Sequence, residues 1–477
     1  MVNVTPLQSA GADLGGPIVT QTAQPEVPAG NPARARREDA IGTPPERPTL
    51  VPADRYFSST FARLEVERMW PKVWQLACTV DHVADIGDSF EYRCGPYSVL
   101  IVRSEDGELR AFQNVCRHRG NTLCTGTNTG LRELKCGYHG WTWDLSGALK
   151  RVPNRKGFGA LQMSEFPLLA VNVDVWERLV FVNLDTDAIP LAEYLEAVPA
   201  DIGWARLGDF RCYATLTVDI DANWKTIADG FSETYHIQTL HPELHRCMDD
   251  VYAPQTIWGR TGKSEQRYGV ASPMIKEALT DADIWDAYVS TQGALMGTAE
   301  GTPLPVDHEG PDRPVDQVIA DRTRSFAAER GVDLSWADTD QVMTLHQYNV
   351  FPNMTLLSNA DHLTVMTARP GADPDCGELV MFLWMRMPPG APRTAPADVR
   401  MPASEAHPGL VLDQDITVLP GLQRGLHQPG LTHLVLSNEE RRIIAMHRNL
   451  ERYLGLPESE CLRGGDVPAG PDAPGDA

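Results

Sequence analysis

The segments Cys116-Arg117-His118 and, 17 residues later, Cys136-Gly137-Tyr138-His139 form CxH and CxxH half-sites. Two thiolates can hold one iron of a [2Fe-2S] pair while two neutral imidazoles hold the other. Exchanging two thiolates for imidazoles raises the reduction potential to roughly -150 to +300 mV. Two cysteines and two histidines also suit tetrahedral zinc. A zinc finger, however, spaces its histidines about three to five apart on one helix, and here each cysteine has its own histidine on a turn.

A second constellation runs from Asn223-Trp224-Lys225 through Asp229, Glu233 and His236 to His241-Pro242. Asn223 to Leu240 reads as a helix with Asp229, Glu233 and His236 on one face. His241 points elsewhere unless the helix ends, and Pro242 ends it by pushing the residue before it out of the α region; a π-bulge serves equally. Two imidazoles and one carboxylate on one side of Fe(II) leave positions open for dioxygen and substrate. Histidines at this spacing are, taken alone, more often structural or surface residues, but the neighbouring cluster motif favours iron. The carboxylate must come from elsewhere, and Val411-Leu412-Asp413-Gln414-Asp415-Ile416 offers two. Asp415 is preferred because it lies at helical spacing on an apolar stripe of Leu412, Leu419 and Leu422. Asp413 is the runner-up, with helix capping as its other reading.

The two half-sites, extended to Cys116-Arg117-His118-Arg119-Gly120 and Cys136-Gly137-Tyr138-His139-Gly140-Trp141, resemble the Rieske motif of aromatic-ring-hydroxylating oxygenase large subunits. Thr142-Trp143-Asp144-Leu145-Ser146-Gly147 fits as well. Asn121 and Tyr138 stand near where respiratory Rieske proteins carry additional disulfide cysteines, which disfavours that alternative. The stretch from Asp229 to His241 resembles the same family's mononuclear-iron motif. The resemblance implies a [2Fe-2S] cluster on Cys116, His118, Cys136 and His139, and Fe(II) on His236, His241 and an acid of the late helix, for which Asp415 is the choice and Asp413 the runner-up. Glu233 then links His236 to His139 of a partner subunit in a head-to-tail ring, a homotrimer with or without a small beta subunit. Asp229 is either a pocket residue or a structural acid. The implied reaction draws electrons from NAD(P)H through a reductase, with or without a ferredoxin, and uses O2 to hydroxylate an organic, by default aromatic, substrate. Gln423-Arg424-Gly425-Leu426, with no doubled aspartate nearby, looks more like the branch that acts on quaternary amines, so a monooxygenase or demethylase of amines is the alternative. A pure electron carrier and a redox sensor are competing classes, and the set of Glu233, His236 and His241 argues against the first.

The elements that must position these residues read as an α+β protein. A disordered tail is expected over 1–47, too rich in Pro, Ala, Gly and Thr to bury a core. A helical segment over 48–73, with Phe61, Leu64, Val66 and Trp70 at near-helical intervals, leads into a small antiparallel β Rieske domain over 74–187. A catalytic domain over 188–462, an antiparallel sheet wrapped on helices in the helix-grip manner, follows, and a flexible tail covers 463–477. Tyr348 to Arg369 and Leu379 to Arg386 look like long strands, Asn438 to Leu454 like an amphipathic helix, and 242–340 yields no clear pattern.

The chain has 477 residues and a net charge of -22, which disfavours nucleic acid and anionic membranes as partners. No signal segment or membrane-length apolar run is visible, which suggests a cytoplasmic protein. Nine scattered cysteines fit reduced thiols and metal ligation rather than a disulfide scaffold. Residues 101–160 run against the acidic balance, with ten Lys/Arg and five Asp/Glu. Such a basic patch suits docking of an acidic electron donor.

Overall fold

The computed structural model describes residues 42, 45–305, 313–393 and 395–464. The N-terminal tail expectation therefore lies outside the described residues except at 42 and 45–47, and the C-terminal one except at 463 and 464. Arg463 is bridged to Leu50 by backbone hydrogen bonds of 2.8 and 3.3 Å, so the chain is held at least that far. Leu50 belongs to β1 (Thr49–Pro52), which pairs antiparallel with His433–Leu436 near the other end of the chain.

Within the helical segment expected over 48–73, the helix is short and irregular. α1 (Ser59–Leu64) starts at the Ser58 cap, then widens into a π turn over Glu65–Met69 and tightens to a 3-10 turn over Trp70–Lys72. Pro71 accounts for the ending, because it has no N–H to continue the ladder. The irregularity has a use: it aims Glu65 inward, where its carboxylate takes the Lys225 ammonium at 2.6 Å and the Trp224 indole N–H at 3.1 Å.

Short strands then follow: β2 (Gln75–Thr79), β3 (Ser89–Cys94), β4 (Tyr97–Arg103), β5 (Leu109–Gln113), β6 (Thr127–Asn128), β7 (Leu134–Lys135), β8 (Thr142–Trp143), β9 (Leu149–Arg151), β10 (Ala170–Trp176) and β11 (Leu179–Asn183). Seven form one antiparallel sheet in the order β2-β11-β10-β5-β4-β3-β6, and β7-β8-β9 form a small second one. β4 shows how the sequence builds this region. Its side chains alternate with the period of a strand, so Val99 and Ile101 enter the main core while Leu100 and Val102 enter a separate core with Leu134, Trp141, Trp143, Cys116 and Cys136. The cysteine loops thus have their own packed foundation.

The largest sheet contains β12 (Phe210–Ile220), β13 (Met248–Asp249), β14 (Gln255–Ile257), β15 (Thr261–Tyr268), β16 (Thr344–Val350), β17 (Met354–Ser358), β18 (Leu363–Pro370), β19 (Gly377–Arg386) and β20 (Ala397–Pro402). The order is β13-β15-β16-β17-β18-β19-β12-β20, with β14 also on β15. The run from Tyr348 to Arg369 is therefore not continuous strand but three strands, broken at Phe351-Pro352-Asn353 and again at 359–362. Every pairing in this sheet is antiparallel except that of β20, which runs parallel to β12 at the edge. The unassigned stretch 242–340 contributes β13 to β15 and two long helices, Asp281–Gln292 and Val315–Glu329.

Three helical pieces lie against the sheet and carry the second constellation: α2 (Trp224–Gly230), α3 (Ile237–Leu240) and α4 (Pro242–His245). The helix expected over 223–240 is thus interrupted at 231–236. The reason is tertiary: the Phe231 carbonyl accepts a hydrogen bond from the Gln347 side chain on β16 instead of a helical N–H. α5 (Leu410–Leu426) and α6 (Arg441–Leu454) complete the set, α6 inside the span expected to be helical. α2 approaches the sheet closely, since a Cβ on Gly377 would stand 2.7 Å from Ile227 Cδ1.

Candidate metal centres

The two cysteine loops are copies of one turn. In the first, the Cys116 N–H donates to Asn121 O at 2.8 Å and the Gly120 N–H to Cys116 O at 3.0 Å; in the second, Cys136 N–H donates to Trp141 O at 2.9 Å and Gly140 N–H to Cys136 O at 3.0 Å. Each turn closes on a glycine at positive φ, 76° at Gly120 and 70° at Gly140, where side chains are strained. The loops bring the imidazoles of His118 and His139 to a centroid separation of 4.5 Å, and His118 stacks on Trp141 at 5.2 Å.

Burial opposes the Cys136 thiolate, but the Tyr138 and His139 backbone N–H groups, Cys116 and Asn121 stabilise it, so its pKa falls below the usual thiol value. Burial raises the Cys116 thiol and depresses the His118 imidazole. Buried Nδ1 of His118 has no hydrogen-bond partner, as befits an atom meant for a metal. The donors also sort by nuclearity. Among the described residues, one group of three or more potential ligands has its donor atoms within 4.8 Å of one another, and it is not this one. The cysteine loops instead offer two Cys-His pairs on matched turns, an arrangement that fits a two-iron cluster better than a single zinc.

That compact group is His236, His241 and Asp415. Asp415 Oδ1 lies 3.0 Å from His241 Nε2 and 3.6 Å from His236 Nε2. His241 occupies the junction between α3 and α4, with φ -121° and ψ 63°, as the following proline demands. His236 stands just before α3, and Asp415 comes from the buried side of α5, next to Ile416 and Leu419.

Both rings are held from behind through Nδ1. Gln414 Oε1 stands 2.7 Å from His241 Nδ1, and Glu233 pairs with His236 Nδ1 while also accepting the backbone N–H groups of Tyr235 and His236. Acceptors at both Nδ1 atoms favour the tautomer whose Nε2 would be free to bind a metal shared with Asp415. Burial disfavours the His236 cation, yet Glu233 and Asp415 together carry its pKa above the usual imidazole value. Asp413 is not in the group: its carboxylate accepts from Gly409 N at 3.1 Å and lies 3.3 Å from His407.

Comparison with known proteins follows the same division. The Rieske [2Fe-2S] domain profile matches residues 73–169, and the profile of the ring hydroxylating alpha subunit catalytic domain matches 207–456. The chain belongs to the ring-hydroxylating alpha-subunit family. Within that family it is similar to the carnitine monooxygenase oxygenase subunit of Escherichia coli (strain K12), 28% identical over 231 residues covering 48% of this chain and 61% of the relative. It is also similar to the benzene 1,2-dioxygenase alpha subunit of Pseudomonas putida, 30% identical over 202 residues covering 39% of this chain and 42% of that one. The fold resembles that of a quaternary ammonium Rieske monooxygenase, with TM-score 0.62 and 17% identity over 87% of this chain and 98% of the other. Among the described residues, no helix is long and apolar enough to cross a membrane.

For a ring-hydroxylating alpha subunit, the neighbours that sequence reasoning missed are as informative as those it found. Gln414 precedes Asp415 in sequence, and only the helix orientation reveals that it backs His241. Asp229 is turned away from the three donors toward Tyr56, whose hydroxyl donates to it at 2.6 Å from 173 residues upstream. No spacing rule could have paired those two. Phe231, Met343 and Phe351 are buried, while Met385 is exposed on β19.

Proposed function

We propose that the chain is the oxygenase subunit of a Rieske non-haem iron oxygenase that hydroxylates an organic substrate. The convergence of His236, His241 and Asp415 in a chain that also carries paired cysteine-histidine loops supports this reading most directly. Cys116, Cys136, His118 and His139 hold the [2Fe-2S] cluster, and His236, His241 and Asp415 hold Fe(II). When bound, the cluster supplies single electrons drawn from NAD(P)H through a partner reductase, with or without a ferredoxin, and the Fe(II) supplies dioxygen activation beside the substrate. Glu233 and Gln414 keep the Nδ1 protons, so both imidazoles present Nε2 inward. Asp415 would add the one anionic donor, and three protein donors would leave Fe(II) able to take dioxygen.

Glu233 also serves as the link to His139 of the partner subunit in a head-to-tail trimer. The exposure of Tyr138 and Tyr235, 57% and 53%, supports an assembly that covers both edges. The electron donor docks on the basic stretch 101–160, outside the edge that the assembly covers.

The similarity to the carnitine monooxygenase oxygenase subunit supports an amine as the alternative to an aromatic substrate.

Metal and sulfide content with electron paramagnetic resonance, on anaerobically purified protein with and without His236→Ala, tests the assignment. The expected result is a His-ligated cluster signal in both proteins and an additional iron lost in the variant. Cluster iron alone in both leaves an electron carrier and overturns the oxygenase reading.

A further inference from the structure

Behind the histidine pair lies a second set of titratable side chains. The Tyr56 hydroxyl donates to Asp229 Oδ2 at 2.6 Å and stands 2.8 Å from His447 Nε2. Tyr56 and His447 are 1% and 0% exposed. Asp229 Oδ1 is buried without a hydrogen-bond partner, and so are Nε and Nη2 of Arg442, whose Nη1 donates to Asn349 at 2.6 Å. These orphaned atoms border a cavity of about 30 Å3 that Ser232 and Thr355 also line. That volume admits about two water molecules, which polar groups without protein partners require.

A phenol between a carboxyl and an imidazole can take either hydrogen-bond polarity without ionising. Asp229 as carboxylate accepts from Tyr56; Asp229 as carboxylic acid donates to Tyr56, which then donates to neutral His447. We propose that Asp229, Tyr56 and His447 form a buried proton store beside the Glu233–His236 pair, taking up one proton from solvent when negative charge arrives there and releasing it when that charge leaves. Asp229 is a positioning residue in this scheme, and the scheme rests on His236 being a metal ligand.

The surroundings set the direction. Burial raises the Asp229 pKa to about 7; Tyr56 and Lys225 pull it down, and Glu440 and Glu233 push it up. Burial, Arg55 and Lys225 depress His447 far below its usual value, so the proton resides on Asp229. Arg442 faces the store from α6, and the nearest polar group of α5 is the neutral Gln423, 2.8 Å from Thr226. An electron added near Glu233 raises the Asp229 pKa further, and a proton follows.

The test is infrared titration of the metal-loaded protein from pH 5 to 9, together with indicator-dye measurement of proton uptake on dithionite reduction. Wild type minus Asp229→Asn is expected to show a carboxylic acid band that fades near pH 7, and lower uptake in the variant. Tyr56→Phe removes a donor that favours the carboxylate, so the band persists to higher pH; this variant carries the test should Asp229→Asn fail to fold. No titrating band, or equal uptake in wild type and variant, overturns the store even when His236→Ala loses iron as expected. A titrating band in a protein whose His236→Ala variant loses no iron leaves the carboxyl but overturns its coupling to a metal centre.

Discussion

On the proposed ligand assignment, the cluster loops and the mononuclear group solve the same problem, placing donors around a metal, with opposite use of the chain. The four cluster donors fall within 116–139, on two turns with the same pair of backbone hydrogen bonds, over a compact core of their own. The three donors of the other group come from α2–α4 and α5, and Asp415 lies 174 residues after His241. Its second layer is scattered further, with Tyr56 and His447 separated by 391 residues. A locally encoded site depends on turn geometry; a site assembled from afar depends on the packing of whole elements. Perturbations should therefore separate the two.

The largest separation is expected from Asp415→Asn. It removes the one anionic donor without changing volume, so the mononuclear iron should be lost while the cluster absorption stays intact. Cys136→Ala should do the reverse. Iron per chain and visible absorption of the two variants read this directly, and loss of both centres in either variant would show that they are not independent.

Next in size is Glu65→Ala. Lys225 is fully buried and Glu65 is 2% exposed, and removing one partner of such a pair costs about 3–5 kcal/mol because the other charge is stranded. Burial already pulls the Lys225 pKa down against the Glu65 attraction. Chemical denaturation should show that loss, and the mononuclear iron should be released at lower denaturant than the cluster. Simultaneous release would mean that the two regions unfold as one unit.

A smaller effect, confined to the other side, is expected from Gly120→Ala. A Cβ there meets nothing within 4 Å, so the cost is conformational, about 1–2 kcal/mol for an L residue in the left-handed region. The cluster should bleach faster in air while His236, His241 and Asp415 keep their iron. An unchanged bleaching rate would count against the turn as the element that protects the cluster.

The same contrast explains what could be read from sequence. The half-sites are visible because spacing, glycines and donors are contiguous. Asp415 is visible because an acid one helical turn from a buried leucine, Leu419, is costly unless it has a partner, but the expected stripe fails at Leu422, which is 51% exposed, and Pro420 lies inside α5. The break after Gly230 is invisible, since the side chain that takes the Phe231 carbonyl lies on a strand 116 residues away. For the same reason neither the Tyr56–Asp229 contact nor the parallel edge strand β20 leaves a local trace. Expecting Asp229, Glu233 and His236 on one helical face treats as local a segment whose shape is dictated by β16.

Asp413→Asn gives the smallest expected effect and the sharpest check on Asp415. Two acids two residues apart on a helix cannot face the same way. Asp413, in the first turn, accepts from the Gly409 N–H and lies beside an exposed His407. Its contribution is that of a carboxylate near a helix N-terminus, about 0.3–1 kcal/mol, and the amide replaces most of it because asparagine accepts the same hydrogen bond. Iron content should therefore be unchanged and the unfolding midpoint shifted only slightly. Iron lost from Asp413→Asn and retained in Asp415→Asn would exchange the two roles, and would mean that α5 turns by more than a quarter of a revolution when metal binds.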